Sequence, residues 1–488
     1  METLERTSSG RWRINRFTIK IYIHTVARTA IFLLILMLAC LAKAAEAKRP
    51  NFLILIADDA TFSELSIFGG TNLKTPNVDR LASQGLLFRR AYVGTSMCTP
   101  CRTELYTGLY PGRSGVCWNH AAARPGTRSI VQRLAEAGYR VGIAGKADVR
   151  PKTVFPFEMV EGFERNCVAR TADYNCAGIK EFMTRDPSQP FCLVVGLVVP
   201  HAPWTVGDPT HFDPKKLKLA PYMVDTPDTR RAYASYLAEY EVMDQQLGNI
   251  LKTLDESGQA GQTLVFFTSE QGGQWPGCKW TVWEEGLHTA LLARWPGRVQ
   301  PGSTTDALVQ YADVLPTLVE IAGTDPAKAG FDGTSFLSVL LGKAKEHRKY
   351  VYAMHNNLPE GAAYPIRSIS DGRFRYIRNL KPETLSLNKW VMASADGPYW
   401  SSWVWNTGAD PHARAMVTRY LLRPAEELYD TQADPSEMNN LAAEPKFAAT
   451  KAGLASELAA WMRAQKDPGA EVDTEQKVKE NLMYGKEK

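Results

Sequence analysis

The sequence predicts an α/β protein built on a mainly parallel sheet, followed by a smaller antiparallel sheet near the C-terminus. Five segments are predominantly apolar, as expected of strands that helices cover on both faces. They alternate with segments of helical periodicity, which is typical of βα units. After about Tyr350 the pattern changes to shorter strand-like segments. This change predicts a second, smaller α+β subdomain.

The elements are predicted in chain order from these patterns. The apolar runs predict strands at 51–57, 86–92, 139–145, 191–199 and 263–268. Helical spacing of apolar residues predicts helices at 76–81, 129–138 and 230–255. Later in the chain, strands are expected at 368–376 and near Tyr429, with a helix at about 448–465. We therefore expect a targeting segment at 1–47, a main domain at 48–350 and a C-terminal subdomain at 351–488.

Length and composition restrict the class of protein. The chain has 488 residues, enough for two or three domains. Hydrophobic residues make up 44% and charged residues 22%, which excludes wholesale disorder. The net charge of +5 is small for this length and does not indicate a nucleic-acid partner. Eight cysteines are too few for a disulfide-built fold, although Cys167 and Cys176 are close enough in sequence to bridge in an oxidising compartment.

Residues 1–47 have the pattern of a cleavable signal peptide. Basic residues precede an apolar run at 30–41, and the small residues at 42–44 offer a cleavage site. The run is short for a bilayer span, and Cys40 lies in a poor match to a lipid-attachment site; a single-pass anchor is the alternative. We expect export to the periplasm or cell exterior, or to a lysosome-like lumen in a eukaryote, with no stable membrane span after cleavage.

Polar side chains follow the ends of four predicted strands. Because the carboxyl ends of parallel strands meet at one edge of a sheet, where ligands bind in open α/β folds, we expect these side chains to share a site. The alternative is that Asp59 caps a following helix, but that role does not explain the adjacent carboxylate of Asp58. The residues are Asp58, Asp59, Lys146, His201, Glu270 and Gln271.

The chemistry of this set indicates a metal and an anion. The oxygen ligands suit a hard divalent cation such as calcium better than zinc. Lys146, Lys279 and Arg102 add cationic donors for an anionic group. His201 can protonate a leaving group. Together they indicate metal-assisted chemistry on an anionic ester.

The stretch Cys98-Thr99-Pro100-Cys101-Arg102 places a thiol, a proline and an arginine within five residues. Cys98 is a candidate nucleophile, because Arg102 can hold an anion or lower the pKa of a neighbouring group. A redox CxxC pair and half of a zinc site are the alternatives. The sequence contains no second CxxC, which disfavours zinc.

With these motifs in place, the chain resembles the type I sulfatases of the alkaline-phosphatase superfamily. Residues 98–102 match the C-x-P-x-R signature of that family, and the resemblance extends from 49 to about 447. Within the family, segments such as 153–157 and 364–368 are similar to the heparan N-sulfatase group. The resemblance implies an alkaline-phosphatase-like mixed sheet between helices as the catalytic domain, with the C-terminal subdomain completing the substrate cleft.

The resemblance also implies a role for each candidate residue. Cys98 would be converted to formylglycine by a formylglycine-generating enzyme, and the hydrated aldehyde would be the nucleophile. Arg102 and Lys146 would hold the formylglycine, and His201 and Lys279 the sulfate. The calcium ligands would be the modified Cys98 together with Asp58, Asp59, Glu270 and Gln271.

Two positions depart from the family pattern. Glu270-Gln271 stands where Asp-Asn is usual, so each ligand keeps its oxygen but is longer by a methylene, which the flexible coordination of calcium tolerates. The family's Lys-x-His element has the sequence Lys146-Ala147-Asp148 here, so the expected histidine is absent. Asp148 is expected to act as the base in its place, and a catalytically idle relative is the alternative.

The C-terminal subdomain offers further candidates for the cleft. His355 and Arg367 are expected to contact an acidic sugar, and the alternative for each is a local partner at the surface. The aromatic-rich segment 390–405 is expected either to stack on sugar rings or to cover the domain interface.

The expected activity is hydrolysis of a sulfate ester or sulfamate on a sulfated mono- or oligosaccharide, with heparan-type glucosamine N-sulfate as the favoured substrate. An O-sulfatase acting on another sulfated polysaccharide is one alternative. A phosphatase or phosphodiesterase of the same superfamily is disfavoured, because the histidines form no close metal-ligand pair. A non-catalytic binder of sulfated glycans is a further alternative, motivated by Asp148.

Overall fold

The computed structural model of the chain divides into two units, Met1–Arg49 and Pro50–Lys488. In the first unit, strands β1 (Leu4–Arg6) and β2 (Trp12–Ile14) pair antiparallel. The signal peptide expected at 1–47 otherwise lies outside the described residues. Those residues are 4–6, 8–10, 12–14, 26, 29, 49–393 and 398–484. Among them, no helix combines the length and the apolar character that a membrane crossing requires.

Nine strands of the second unit form one mixed, mainly parallel sheet. They are β3 (Asn51–Ala57), β4 (Leu86–Tyr92), β5 (Arg140–Gly145), β6 (Glu158–Val160), β7 (Phe191–Gly196), β8 (Thr263–Ser269), β9 (His288–Arg294), β10 (Ser303–Thr305) and β11 (Val309–Gln310). Their order is β10–β4–β9–β8–β3–β7–β5–β6, and β11 also pairs with β4. Strand β9 is antiparallel to both of its neighbours, and the other pairs are parallel. The predicted α/β class is confirmed.

Helices lie on both sides of this sheet, and β3, β7, β8 and β9 are buried along their whole length. Continuous apolar strands are what such double coverage requires. The helices are α1 (Pro76–Ser83), α2 (Cys98–Thr107), α3 (Pro111–Ser114), α4 (Ile130–Glu136), α5 (Ala177–Thr184), α6 (Pro227–Glu256), α7 (Glu284–Leu287), α8 (Val314–Ile321), α9 (Leu337–Leu340), α10 (Lys389–Ala393), α11 (Tyr399–Asn406), α12 (Pro411–Leu421), α13 (Ala448–Ala464) and α14 (Glu475–Tyr484).

Local sequence explains where two of the predicted helices begin. Ser129 precedes α4 and accepts a hydrogen bond from Val131 N, while Gln132 reaches back to the backbone N–H of Ser129. Thr226 caps α6 by accepting from Thr229 N at 3.1 Å, and Pro227 occupies the first helical position. Capping residues satisfy N–H groups that have no partner inside the helix, and proline is preorganised for the first position.

Register in the parallel part of the sheet fixes where the strand-end residues lie. Strand β3 pairs with both β7 and β8, and β7 pairs with β5. Ile56 and Gly145 both lie opposite Gly196, and Ala57 lies opposite Ser269. The residues that follow these four strands therefore emerge at the same edge of the sheet.

A second, four-stranded antiparallel sheet follows residue 350, as predicted. Its order is β12 (Val351–His355), β13 (Ile366–Ser370), β14 (Phe374–Asn379) and β15 (Glu426–Asp430). Helix α13 packs against β13. Both sheets belong to the unit Pro50–Lys488.

A buried arginine links the two sheets. Arg375 on β14 forms an ion pair with Glu284 at the start of α7, and its Nε donates to Glu437 Oε1 at 2.8 Å. All three side chains are at most 9% exposed. Breaking a buried pair by removing one partner is strongly destabilising, so this contact fixes the small sheet against the large one.

Candidate active site

Helix α2 presents Cys98 at its first position. The helix is buried over all ten residues and ends at Gly108, whose φ of 67° is the left-handed conformation that glycine adopts without strain. Burial and the Glu270 charge raise the pKa of the Cys98 thiol well above its ordinary range. An unmodified thiol here stays protonated at neutral pH, and the thiol form is a weak nucleophile.

The redox alternative for this CxxC stretch is not supported by the geometry. Cys98 and Cys101 are both free thiols. Cys101 is fully buried, and its sulfur lies 3.9 Å from the backbone oxygen of Glu270. Cys167 and Cys176, which are close enough in sequence to bridge, are free as well.

Three carboxylates and the Cys98 sulfur form one buried cluster. Their ligand atoms, from Asp58, Asp59, Glu270 and Cys98, all lie within 4.8 Å of one another. Gln271 lies beside them and donates from Nε2 to Asp59 Oδ1 at 2.6 Å and to Cys98 Sγ at 3.4 Å. Its Oε1 is buried and has no hydrogen-bond partner among the residues that the structure describes.

This donor set fits a calcium ion. Burial raises the pKa of Glu270 to about 8, despite Arg102, and the adjacent Asp58 charge adds to the effect. Crowded carboxylates of this kind are stabilised by a cation, and oxygen donors favour a hard one. The unpartnered Gln271 oxygen provides a further ligand atom at the same place.

Each carboxylate of the cluster also has a basic partner. Lys146 Nζ donates to both oxygens of Asp58 at 2.7 and 2.9 Å, and Lys279 Nζ donates to Asp59 at 2.6 Å. Burial alone would raise the pKa of Asp58, but Lys146 and the other neighbours hold it well below its ordinary value. Lys146 and Lys279 are therefore fixed as ammonium groups on either side of Cys98.

Arg102 forms hydrogen bonds with the cluster and its surroundings from a buried position. Its Nε donates to Glu270 Oε1 at 2.8 Å, and its Nη1 donates to the backbone oxygen of Lys146 at 2.8 Å. The side chain is fully buried and does not line the cavity. The structure therefore does not place Arg102 in the cavity as a donor for an anionic group, and its contacts are those of a residue that positions Glu270 and Lys146.

Two glycines allow Lys146 to enter the site. Gly145 has a φ of 73°, and a Cβ on Gly196 would lie 2.2 Å from the backbone oxygen of Lys146. A side chain at either position would therefore move the end of β5 and displace the lysine.

His201 lies beside Lys279 and Asp59, held by three contacts. Its Nδ1 lies 2.5 Å from the backbone oxygen of Ala202, and its Nε2 lies 3.2 Å from Lys279 Nζ and 3.4 Å from Asp59 Oδ2. Burial and Lys279 would lower the pKa of His201, but Asp59 and Asp58 outweigh them and raise it to about 9.

A cavity of about 610 Å³ opens over this cluster. Of the residues expected at the site, Cys98, Lys146, Asp148, His201 and Lys279 line it.

Several residues that the sequence did not single out also line this cavity. Asn119 and His120 come from the loop before α4, Trp280 follows Lys279, and Glu360 comes from the loop between β12 and β13. No motif marks these loop residues, and the left-handed φ of 58° at His120 is a property of the folded backbone.

Asp148 lies beside Lys146, as its place in the sequence predicts. Its Oδ2 is 4.0 Å from Lys146 Nζ, and its Oδ1 is 3.7 Å from His120 Nδ1. Burial alone would raise the pKa of Asp148, but the neighbouring His120 and Lys146 side chains leave it below the ordinary value. Asp148 is therefore an ionised carboxylate within the cavity wall.

His355 and Arg367 do not reach the cavity, which corrects the expectation that they contact sugar. Arg367 is fully buried, forms an ion pair with Asp467, and donates from Nη1 to the backbone oxygen of His355 at 3.3 Å. Burial, together with Arg423, lowers the pKa of His355 to about 3. Both side chains are buried in the C-terminal part of the chain, Arg367 against Asp467 and His355 near Arg423.

The aromatic segment 390–405 divides between the cavity wall and the interior, and its residues 394–397 lie outside the described chain. Trp390 is 46% exposed and lines the cavity. Tyr399 and Trp403 are fully buried; Tyr399 contacts the Trp275 ring at 4.9 Å between centroids, and Trp403 Nε1 donates to Thr229 on α6 at 2.7 Å. Trp390 is therefore the tryptophan of this segment that lines the cavity, while helix α11 packs its aromatic side chains into the interior.

Comparison with known proteins agrees with this geometry. The profile of the family described as Sulfatase matches residues 50–324, and that described as N-sulphoglucosamine sulphohydrolase, C-terminal, matches residues 276–391. An ulvan-active sulfatase of Formosa agariphila is 32% identical over 429 residues, covering 87% of this chain and 82% of that protein. The human N-sulphoglucosamine sulphohydrolase is 30% identical over 475 residues, covering 87% of this chain and 92% of that protein.

Solved structures share the fold. One, described as a complex with its substrate D-glucosamine-2-N,6-O-disulfate, superposes with a TM-score of 0.67 at 19% identity, covering 86% of this chain and 99% of that one. A phosphonate monoester hydrolase of Agrobacterium radiobacter superposes with a TM-score of 0.66 at 22% identity, covering 86% and 96%.

Proposed function

The chain belongs to the sulfatase family of hydrolases, and on this premise we propose that it removes sulfate from glucosamine N-sulfate of the heparan type. The observation that carries the proposal is a single cavity that brings Cys98 together with Lys146, Lys279 and His201, beside a buried cluster of oxygen ligands. The choice of an N-sulfate is supported by the second matched profile and by the human relative.

Two groups absent from the chain as translated would complete the site. A formylglycine made from Cys98 supplies an oxygen nucleophile, and a calcium ion held by Asp58, Asp59, Glu270 and Gln271 supplies Lewis-acid activation of the sulfate.

The remaining chemistry comes from side chains of the cavity. Lys146 and Lys279 place two ammonium groups beside residue 98, where they bind the sulfate and stabilise charge that develops on it in the transition state. Both are held by carboxylates, so they are oriented before substrate arrives. His201, 3.2 Å from Lys279, donates a proton to the leaving nitrogen or oxygen.

The test is sulfate release, measured by ion chromatography in the presence of calcium. We expect glucosamine N-sulfate to be the best substrate, with free amine appearing at the same rate as sulfate. Glucosamine 6-O-sulfate is the matched ester, and the Cys98→Ala variant is the control for contaminating activity. Faster release from the ester than from the N-sulfate would contradict the substrate assignment.

An O-sulfatase on another sulfated polysaccharide is the second candidate, because the ulvan-active relative is 32% identical over most of both chains. Ulvan oligosaccharides in the same assay distinguish the two. A third outcome, binding of these sugars without sulfate release by protein that carries formylglycine, would identify a non-catalytic binder.

We further propose that residues 1–47 direct export and are then removed, with the mature protein acting in the periplasm or outside the cell, or in a lysosome-like lumen. The basic residues, apolar run and small residues of that segment support this. N-terminal sequencing of protein recovered from the exported fraction tests it, and retention of residues 1–47 would contradict it.

A further inference from the structure

Two residues with left-handed backbone conformations face each other in the cavity that holds Cys98. His120 has a φ of 58° and Asp148 a φ of 46°. Such conformations are uncommon for residues other than glycine, and they persist where the surrounding structure fixes them. The surrounding structure therefore fixes the backbone at two facing positions of one cavity.

Hydrogen bonds tie His120 to the turn that carries the nucleophile. The backbone N–H of His120 donates to Thr99 Oγ1 at 3.0 Å, and the backbone N–H of Thr99 donates to Asn119 Oδ1 at 3.2 Å. Asn119 in turn donates from Nδ2 to Glu360 Oε1 at 3.0 Å. Because Thr99 directly follows Cys98, these bonds fix the position of His120 relative to residue 98.

The side chains of the pair are arranged as an imidazole and its carboxylate partner. His120 Nδ1 lies 3.7 Å from Asp148 Oδ1, and the other carboxylate oxygen lies 4.0 Å from Lys146 Nζ. The His120 side chain is 59% exposed and that of Asp148 is 16% exposed. Asp148 is thus held between a fixed ammonium group and an imidazole that remains open to the cavity.

Three other basic side chains near Cys98 are already engaged. Lys146 and Lys279 are bound to Asp58 and Asp59, and His201 contacts Ala202 and Lys279. An ammonium group does not accept a proton at neutral pH, whereas an imidazole does. Among the cavity-lining residues that the structure describes, His120 is the imidazole on the Lys146 side of Cys98.

We propose that His120 is a catalytic proton acceptor of the sulfatase reaction and that Asp148 is its positioning residue. Nδ1 of His120 faces Asp148 Oδ1 at 3.7 Å, so an Nδ1–H directed at that carboxylate leaves Nε2 as the acceptor. A hydroxyl on the modified residue 98 loses its proton, a bond forms between that proton and Nε2, and the imidazolium is stabilised by the Asp148 carboxylate before it returns the proton to water. This inference rests on the proposed function.

The first test needs no turnover. In the Cys98→Ala protein labelled with ¹⁵N-histidine, we expect NMR to show His120 in the Nδ1–H tautomer. Asp148→Gly removes the carboxylate while accepting the left-handed backbone, and it should shift His120 towards the Nε2–H tautomer. His211 is the internal control, because its Nδ1 lies 2.8 Å from Glu241 outside the cavity. Unchanged His120 signals in Asp148→Gly would overturn the pairing.

The second test is kinetic, with formylglycine content and melting temperature matched between variants. His120→Asn, which also tolerates a left-handed backbone, should lower kcat roughly 10²-fold with KM within threefold, as expected for loss of a general base. Asp148→Gly should lower kcat about tenfold, and the double variant should be no slower than His120→Asn alone. The matched control, His211→Asn, should keep full activity.

The two tests separate this inference from the proposed function. Sulfate release that stays within twofold in His120→Asn, or single losses that multiply in the double variant, would overturn the role of the pair while the sulfatase assignment stands. Absence of sulfate release from the parent protein would overturn the proposed function, and the tautomer of His120 would still decide whether the pair exists.

Discussion

Cys98 concentrates the chemistry of the site in one residue. As a thiol it is buried, and both burial and the nearby carboxylates raise its pKa. The cavity around it is nonetheless arranged to bind an anionic group, because the ammonium groups of Lys146 and Lys279 are held in place there. A residue that is inert as translated, in a site that is otherwise preorganised, is explained by conversion to a different nucleophile.

Replacing Cys98 by alanine should therefore separate catalysis from binding. We expect Cys98→Ala to lower the rate of sulfate release by a factor of roughly 10⁴ or more, because the nucleophile is lost. Affinity for the sulfated sugar, measured by titration calorimetry, should change by less than tenfold, since Lys146, Lys279 and His201 remain. Appreciable residual hydrolysis would remove Cys98 from the role of nucleophile.

Arg367 illustrates how the function of one residue is misjudged from sequence. A positive side chain on the C-terminal sheet is compatible with sugar binding, but the residue lies on β13 with its side chain turned towards Asp467, whose side chain is 1% exposed. Arg367 and Asp467 are 100 positions apart in the sequence, so no local pattern predicts that they pair.

Arg367→Met should consequently affect stability and leave substrate affinity intact. Removing the guanidinium leaves the buried Asp467 carboxylate unpaired, which typically costs about 3–5 kcal/mol. We expect a lower melting temperature and a KM within twofold of wild type. The matched control is Arg378→Met, because Arg378 lies opposite Arg367 in the β13–β14 register but is exposed. An unchanged melting temperature with a raised KM would restore Arg367 to the substrate cleft.

At the scale of elements, the alternation of strands and helices made most of the main sheet predictable. Apolar runs such as 51–57 and 263–268 coincide with β3 and β8, because both faces of these strands are covered. The end of each strand then fixed where Asp58, Lys146 and Glu270 lie, so the cluster of carboxylates followed from sheet topology.

The cavity residues that the sequence did not predict lie in loops. His120 and Glu360 enter the cavity from segments without periodicity. The backbone of His120 is fixed by a hydrogen bond to Thr99, and Glu360 by one from Asn119. Residues placed by long-range contacts between loops carry no repeating pattern that can be read in advance.

A buried junction between α8 and the segment before β12 gives the fold a defined acid sensitivity. Asp313 accepts hydrogen bonds from Gln310 N and Thr334 N and pairs with Arg348 and His347. Burial alone would raise its pKa, but Arg348 and His347 lower it from 3.8 to about 2.

This junction predicts a loss of stability in acid. Because the native pKa is depressed, the unfolded chain binds more protons between pH 3.8 and about 2, so the stabilisation is complete above that window and is lost as the pH falls through it. The contribution is roughly 2 kcal/mol. Denaturant unfolding of wild type should show this loss, and Asp313→Asn should abolish it, whereas Asp306→Asn, at an exposed position, should not. Identical acid dependence in all three proteins would contradict the assignment.

At the scale of the whole molecule, the second sheet does not supply the reactive groups. Cys98 and its basic partners come from the edge of the large sheet, while the C-terminal part contributes Glu360 and Trp390 to the cavity wall. The ion pairs of Arg375 with Glu284 and Glu437 hold the two sheets together. The candidate reactive groups and part of the cavity wall therefore come from different parts of one unit.

Calcium should stabilise the entire unit, because its ligands come from β3, α2 and β8 at once. A ligand that binds only the native state at 100 times its Kd adds about 2.7 kcal/mol to the free energy of unfolding. We expect a chelator to lower the melting temperature and excess calcium to restore it. Asp59→Asn should remove most of this shift, and Asp208→Asn, in an exposed turn, should retain it. Equal melting temperatures with chelator and with calcium would contradict the calcium site.

The proposed sulfatase activity depends most directly on the chemical state of residue 98. The decisive measurement is mass spectrometry of the peptide containing this position, from protein made in a host that has the modifying enzyme. We expect oxoalanine in place of cysteine, and the fraction of the peptide that carries it should scale with the rate of sulfate release. Protein that releases sulfate while this peptide carries only an intact thiol would contradict this expectation.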